Sequence, residues 1–177
     1  MAERTVEDRL RGEYFDLLPD IRLVAEHLEA EVRYRILPIS RGLDKYERVS
    51  VRSRIKECES AIESLRRRQE GATFYTDRAE TYTLTQLRDL AGVRVLVFPQ
   101  GRLAETDVAL RLAFPSWTAD PIRGKATDET LAFKYWGRCE ASDKVSGEYQ
   151  IVSALIGLFW EVEHGAIYKP QPRWLGL

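Results

Sequence analysis

Apolar positions along this chain recur with two different periods, and the switches between them mark out its elements. Ile21, Val24, Leu28 and Val32 fall three or four residues apart, so the stretch from Pro19 to Leu37 is predicted to be an amphipathic helix with Pro19 in its first turn. ERVSVRSRIK (47–56) instead alternates. Val49, Val51 and Ile55 share one side and Ser50, Arg52, Arg54 and Lys56 the other, which predicts a half-buried strand with a cationic face. The helical period returns over 57–71, where Ala61, Ile62 and Leu65 share a face, acids come early, arginines late, and Gly71 stands at the stop. LTQLRDLAGVRVLVFP (84–99) reads as a short helix yielding at Gly92 to VRVLVF, a strand apolar enough to be buried on both faces.

In the second half, 102–114 is predicted helical, with Leu103, Val108, Leu110 and Leu112 available for packing. Residues 115–129 are rich in turn formers and read as a loop with a short edge strand. TLAFKYWGRCEA (130–141) has strand character, ASDKVSG (141–147) is expected to turn it, and GEYQIV (147–152) to complete a hairpin. Ser153 is placed to cap a last helix with an apolar stripe of Leu155, Leu158, Phe159 and Val162. This order of helices and strands predicts an α/β (α+β) fold.

Composition narrows the picture. The 177 residues, 44% apolar and 31% charged, fit one domain: N-terminal helices (1–46), a catalytic sheet with its helices (47–169) and a short tail (170–177). A net charge of −1 leaves any nucleic-acid or anionic partner to a local patch. Cys58 and Cys139 are too few for a disulfide framework and lack metal-ligand spacing, so a reducing, cytoplasmic setting is expected. No run approaches the ~18 apolar residues of a membrane span, and no membrane partner is expected.

Two constellations carry chemistry. Arg52, Arg54 and Lys56 share a strand face that runs into a helix N-terminus, where free N–H groups and Ser60 add to the pull on a polyphosphate; the alternative is an ordinary solvated face. Asp89 and Glu148 each head a strongly apolar strand-like segment. In one sheet they would suit Mg²⁺, which prefers oxygen ligands and keeps waters for phosphates; the alternative is a helix cap and a hairpin end.

RIKECESAIESLRRR, LRDLAGVRVLVF and EYQIVSALIGLFWEVEHGAIYK, in that order, resemble the synthetase domain of the RelA/SpoT family over roughly Pro19 to Lys169. The resemblance implies a nucleotidyltransferase-like mixed sheet of about five strands flanked by helices. It implies transfer of the β,γ-pyrophosphate of ATP to the 3′-hydroxyl of GDP or GTP, with Mg²⁺, giving the alarmone (p)ppGpp. Arg54, Lys56 and Ser60 match the family's ATP-phosphate residues, and Arg66 is a further candidate there. Asp89 matches the metal-binding aspartate, and Arg94 the arginine of the same strand. Glu148 matches the glutamate that acts on the metal and acceptor hydroxyl, with Gln150 beside it, and His164 and Tyr168–Lys169 match the following helix.

The chain also departs from the family. Ser64 stands where a lysine is usual, Val152-Ser153 replaces an Arg-Thr pair, and no GYxxxH segment occurs. Counting back from Glu148 puts Phe133 or Tyr135 in place of the base-stacking tyrosine and Gly137 in place of the histidine. The His-Asp pair of the family's hydrolase half is missing, so no alarmone hydrolase is expected. Three readings follow: a guanine-nucleotide pyrophosphokinase, a toxic relative acting on adenine nucleotides or the tRNA 3′ end, and a nucleotide-sensing or protein-binding module without turnover. Arg33, Arg35, Arg41 and Arg66 to Arg68 are the candidate tRNA patch. A homo-oligomer, an antitoxin partner, or a place in a longer protein are all compatible with the sequence.

Overall fold

Helix α1 (Val6–Arg35) is one continuous helix, longer than its predicted stretch. Thr5 accepts a hydrogen bond from the Asp8 N–H at its start, and Glu7 and Asp8 complement the dipole there. Pro19 lies inside the helix, not in its first turn. An interior proline forfeits a hydrogen bond and costs roughly 3 kcal/mol. The apolar row outweighs it: Leu10, Tyr14, Leu17, Ile21, Val24, Leu28 and Val32 are all buried, and each large one contributes about 1.5–3 kcal/mol.

The computed structural model describes residues 5–124 and 130–163. After the short helix α2 (Leu37–Arg41) come β1 (Arg48–Ile55), α3 (Cys58–Arg67), β2 (Ala91–Phe98), α4 (Leu103–Ala113), β3 (Thr118–Ala119), β4 (Ile122–Arg123), β5 (Thr130–Cys139), β6 (Ser142–Ser153) and α5 (Ala154–Glu163). Among the described residues six strands form one mixed sheet, ordered β1-β2-β6-β5-β3 with β4 also on β5; β2 and β6 run parallel and the other pairs antiparallel. α1 covers one face, where Val93, Val95, Val97, Tyr149 and Ile151 join its apolar row in the main core. On the other face Leu96, Ala132 and Val152 form a small second core under Ala154, Ile156 and Trp160 of α5. Much of the rest of that second face is polar, with Arg52, Arg54, Arg94, Lys134, Glu148 and Gln150 on it.

Several elements differ from their predicted form. The helix expected from Leu84 is a single 3₁₀ turn, Leu84–Gln86, because the chain must extend by Ala91 to pair with β1. In α4, Val108 and Leu112 are exposed, while Thr106 and Asp107 join Leu103 and Leu110 on the buried side. Asp107 is tolerated there because Tyr135 and Arg111 satisfy it. The expected 141–147 turn is mostly strand, since β6 begins at Ser142. Ser153 ends β6 directly before α5, and the stripe Leu155, Leu158, Phe159 and Val162 faces outward. His164, Tyr168–Lys169 and the tail from Pro170 lie outside the described residues.

Candidate active site

The strand register sets the polar face in two rows. Arg52, Arg94, Gln150 and Lys134 stand opposite one another across β1, β2, β6 and β5, and Arg54, Gly92, Glu148 and Trp136 form the adjacent row. Cations directly opposite each other, as Arg52 and Arg94 are, destabilise a sheet, so this arrangement is suited to an anion that completes it. Burial, with Arg54 nearby, holds the Arg94 guanidinium below its ordinary value. Its Nε is buried without a hydrogen-bond partner, and its Nη2 donates weakly to Gln150 Oε1 at 3.4 Å. Gly92 is required where it stands: a Cβ there would lie 2.7 Å from the Glu148 carbonyl oxygen.

Glu148 is 3% exposed. Gln150 Nε2 donates to its Oε1 at 2.7 Å, and Arg54 Nη1 lies 3.9 Å from the same oxygen. Its other oxygen, Oε2, is 3.1 Å from Lys134 Nζ, an ion-pair contact not aligned as a hydrogen bond, so Oε2 lacks a hydrogen-bond partner. Asp89, two residues before β2, is paired through Oδ2 with Lys56 Nζ at 2.5 Å, and its buried Oδ1 is unpartnered. The main chain locks this pair together: the Lys56 N–H donates to Leu90 O, and the Tyr14 hydroxyl donates to Lys56 O. Burial pushes the Asp89 carboxyl up, but the Lys56 ammonium, with Arg54 and Arg68, outweighs it and holds the pKa below the usual carboxylate value.

Asp89 and Glu148 line one cavity of about 340 Å³, together with Lys134, Asp120, Trp136 and Arg88. A buried carboxylate, Glu148, and a half-buried one, Asp89, each with a buried oxygen that lacks a hydrogen-bond partner, line one polar cavity and are a donor set that fits a hard divalent cation sharing its remaining positions with water and phosphate. Among the described residues no group of three or more His, Cys, Asp or Glu side chains gathers as a self-sufficient metal cluster.

A second cavity, of about 590 Å³, opens at the start of α3 and is lined by Arg54, Lys56, Ser60, Ser64 and Arg67, with Glu57, Glu59 and Glu63. Arg54, Lys56 and Ser60 therefore share one wall. Arg66 does not join them: it bonds to Glu63 and Glu7 and lies over the Phe74 ring, and Arg67 lines the cavity instead. Arg52 faces a smaller hollow of about 150 Å³ with Arg54, Arg94 and Glu161.

Phe133 and Tyr135 are not on the site face. Phe133 packs on the main core, and Tyr135 is buried, stacked on Tyr149 with its hydroxyl donating to Asp107 Oδ1 at 2.6 Å. The half-buried aromatic of the site is Trp136, opposite Glu148 and carrying the Arg88 guanidinium over its ring at 3.8 Å. Sequence reasoning missed Trp136, Lys134, Arg88 and Asp120, and it put Arg67 only in the candidate tRNA patch. No signal in the sequence gave Lys134 and Trp136, because the β5–β6 register decides which alternate set of β5 residues shares a face with Glu148 and Gln150.

Neither a protein-family model nor a curated protein matches the chain. Solved structures do. Small alarmone synthetase 1 from Bacillus subtilis bound to its product pppGpp is 19% identical with a TM-score of 0.62, over 90% of this chain and 83% of that one. The same enzyme bound to AMPCPP is 16% identical at a TM-score of 0.60, over 89% and 79%. A GTP pyrophosphokinase family protein from Streptococcus pneumoniae is 23% identical at 0.55, over 93% and 82%. The chain thus has the fold of the small alarmone synthetases, with its cations and carboxylates gathered on the one sheet face that helix α1 leaves open.

Proposed function

We propose that this chain is an ATP-dependent pyrophosphokinase that transfers the β,γ-pyrophosphate of ATP to the 3′-hydroxyl of GDP or GTP. The observation that carries this reading is the pair of incompletely hydrogen-bonded carboxylates, half-buried Asp89 and buried Glu148, in one cavity beside the Arg54–Lys56 wall. The neighbours that bind AMPCPP and pppGpp support it.

Arg54, Lys56 and Ser60 would hold the donor phosphates at the start of α3, where the Cys58, Glu59 and Ser60 N–H groups precede the first helical bond from Ala61 to Glu57. Asp89 and Glu148 would hold Mg²⁺, which when bound neutralises phosphate charge. Gln150 Nε2 holds Glu148 Oε1, and the Glu148 carboxylate, which lines the cavity, would accept the acceptor hydroxyl's proton. The hydroxyl oxygen bonds to the β-phosphorus, the bond from that phosphorus to the α–β bridging oxygen breaks, and AMP leaves. Positioning and charge neutralisation carry most of such a reaction. Trp136 offers the acceptor base a stacking surface.

That surface also favours a second reading, because Trp136, with Arg88 over its ring, can stack any base; an adenine nucleotide or the tRNA 3′ end is the alternative acceptor. The candidate tRNA patch gives it little support, since Arg33, Arg35, Arg66 and Arg67 each pair with a glutamate. The test is incubation with Mg²⁺ and γ-labelled ATP plus, in turn, GDP, GTP, ADP or deacylated tRNA. Label on GDP or GTP supports the main reading. Label only on ADP or tRNA moves the acceptor, and ATP binding without transfer leaves a non-catalytic nucleotide module. Glu148→Gln must abolish any transfer seen.

A further inference from the structure

Both carboxylates of the candidate cation site are held by lysines in the free protein, and the two contacts differ in kind. Lys56 is hydrogen-bonded to Asp89 and fixed through its own main chain. Lys134 reaches Glu148 Oε2 at 3.1 Å without hydrogen-bond alignment. Its ammonium also lies 3.5 Å from Asp120 Oδ2, a carboxylate whose side chain is 63% exposed at the cavity wall. The Asp120 N–H donates to Lys134 O at 2.8 Å, so this second partner is anchored to the same strand position. Lys134 therefore stands between a buried carboxylate and an outer one, on a flexible stem with three donors.

A buried carboxylate such as Glu148 needs a compensating cation, and removing its partner is costly. Two cations cannot share Oε2 at close range. Any divalent ion that takes this oxygen must displace the ammonium, and the displaced ammonium still needs an anion. The cavity supplies Asp120, and a bound nucleotide would supply phosphate. We propose that Lys134 is a positioning residue that occupies the Glu148 end of the cation site in the free protein and turns toward bound phosphate when a divalent cation displaces it. The proposal rests on reading Asp89 and Glu148 as metal ligands. It makes metal and nucleotide binding mutually reinforcing through one side chain, with the same factor in both directions.

The test is Mn²⁺ titration of the nucleotide-free full chain at pH 7.5, followed by electron paramagnetic resonance, with folding checked by thermal melts. Lys134→Met should bind Mn²⁺ about tenfold more tightly, the effect of removing one competing positive charge beside Oε2. Lys134→Arg should stay near wild type, and Lys134→Gln serves if the Met variant does not fold. Arg88→Gln removes the same charge from the cavity wall without touching Glu148 and should change affinity by less than about twofold. With Mn²⁺ saturating, Lys134→Met should bind GDP or a non-hydrolysable ATP analogue several-fold more weakly by calorimetry. Unchanged Mn²⁺ affinity in the neutral Lys134 variants, or an equal gain in Arg88→Gln, overturns the proposal and leaves the metal-ligand reading standing. Unchanged affinity in Glu148→Gln would remove that reading and the proposal with it.

Discussion

Tyr135→Phe tests the strand register that builds the site. Tyr135 is 7% exposed, its ring stacks on Tyr149 with centroids 4.9 Å apart, and its hydroxyl donates to Asp107 Oδ1 at 2.6 Å. Phenylalanine keeps the ring packing and deletes only the donor. Asp107, itself buried, would retain Arg111 Nε at 3.1 Å from Oδ2. A hydrogen bond to a charged acceptor contributes roughly 1.5–3 kcal/mol, so the expected loss is about 2 kcal/mol. In a chain of this size that lowers Tm by about 4–8 °C, readable by calorimetry. Burial and the Asp107 contact raise the tyrosine's pKa above its ordinary value of 10.0. Its contribution is therefore fully present below pH 10 and is lost as pH rises beyond it, and the variant should show a flatter alkaline decline. Nucleotide KM should change by less than about twofold, because the ring lies on the core side. A variant with wild-type Tm and a strongly raised nucleotide KM would refute the register argument and return Tyr135 to the site.

Trp136→Ala should raise acceptor KM by about 10–100-fold, the range of one base–aromatic stack, with Trp136→Phe recovering most of it in steady-state assays. Gly92→Ala should part β2 from β6 at Glu148, lowering Tm and speeding amide hydrogen exchange at 148–150; unchanged exchange would contradict the 2.7 Å approach. Pro19→Ala should stabilise by about 1–2 kcal/mol in denaturant unfolding, the recovered helix bond being partly offset by a freer unfolded chain. Lys56→Met should raise the Asp89 carboxyl pKa from its wild-type value, since burial is then opposed only by Arg54 and Arg68, as NMR titration would report. In the wild type the depressed value gives a contribution present above pH 3.8 and lost as pH falls below it, and the variant should lose that acid-side dependence.

What the sequence determined by itself was local. The alternation in 48–55 is enough to put Arg52 and Arg54 on one face, because side-chain direction in a strand depends only on its own pleat. The spacing of Ala61, Ile62 and Leu65 likewise specifies α3, and Val93, Val95, Leu96 and Val97, interrupted only by Arg94, specify a buried strand. Pro19 misled as a start signal because its local cost is outweighed by α1 packing on β1, β2 and β6, which no short window contains. Only the tertiary structure brought Asp89 and Glu148 to one cavity, since a parallel pairing of β2 with β6 joins residues far apart in the chain. It also decided which aromatic faces them. Continuing the Cys139–Ser142 pairing regularly would set Phe133 opposite Glu148. The irregularity at Arg138/Cys139 shifts the register by three residues and puts Trp136 there, with Lys134 beside it. Such a shift reverses which residues face the core, and it is settled by what the opposite face can bury: Tyr135 on Tyr149, and Phe133 against the main core.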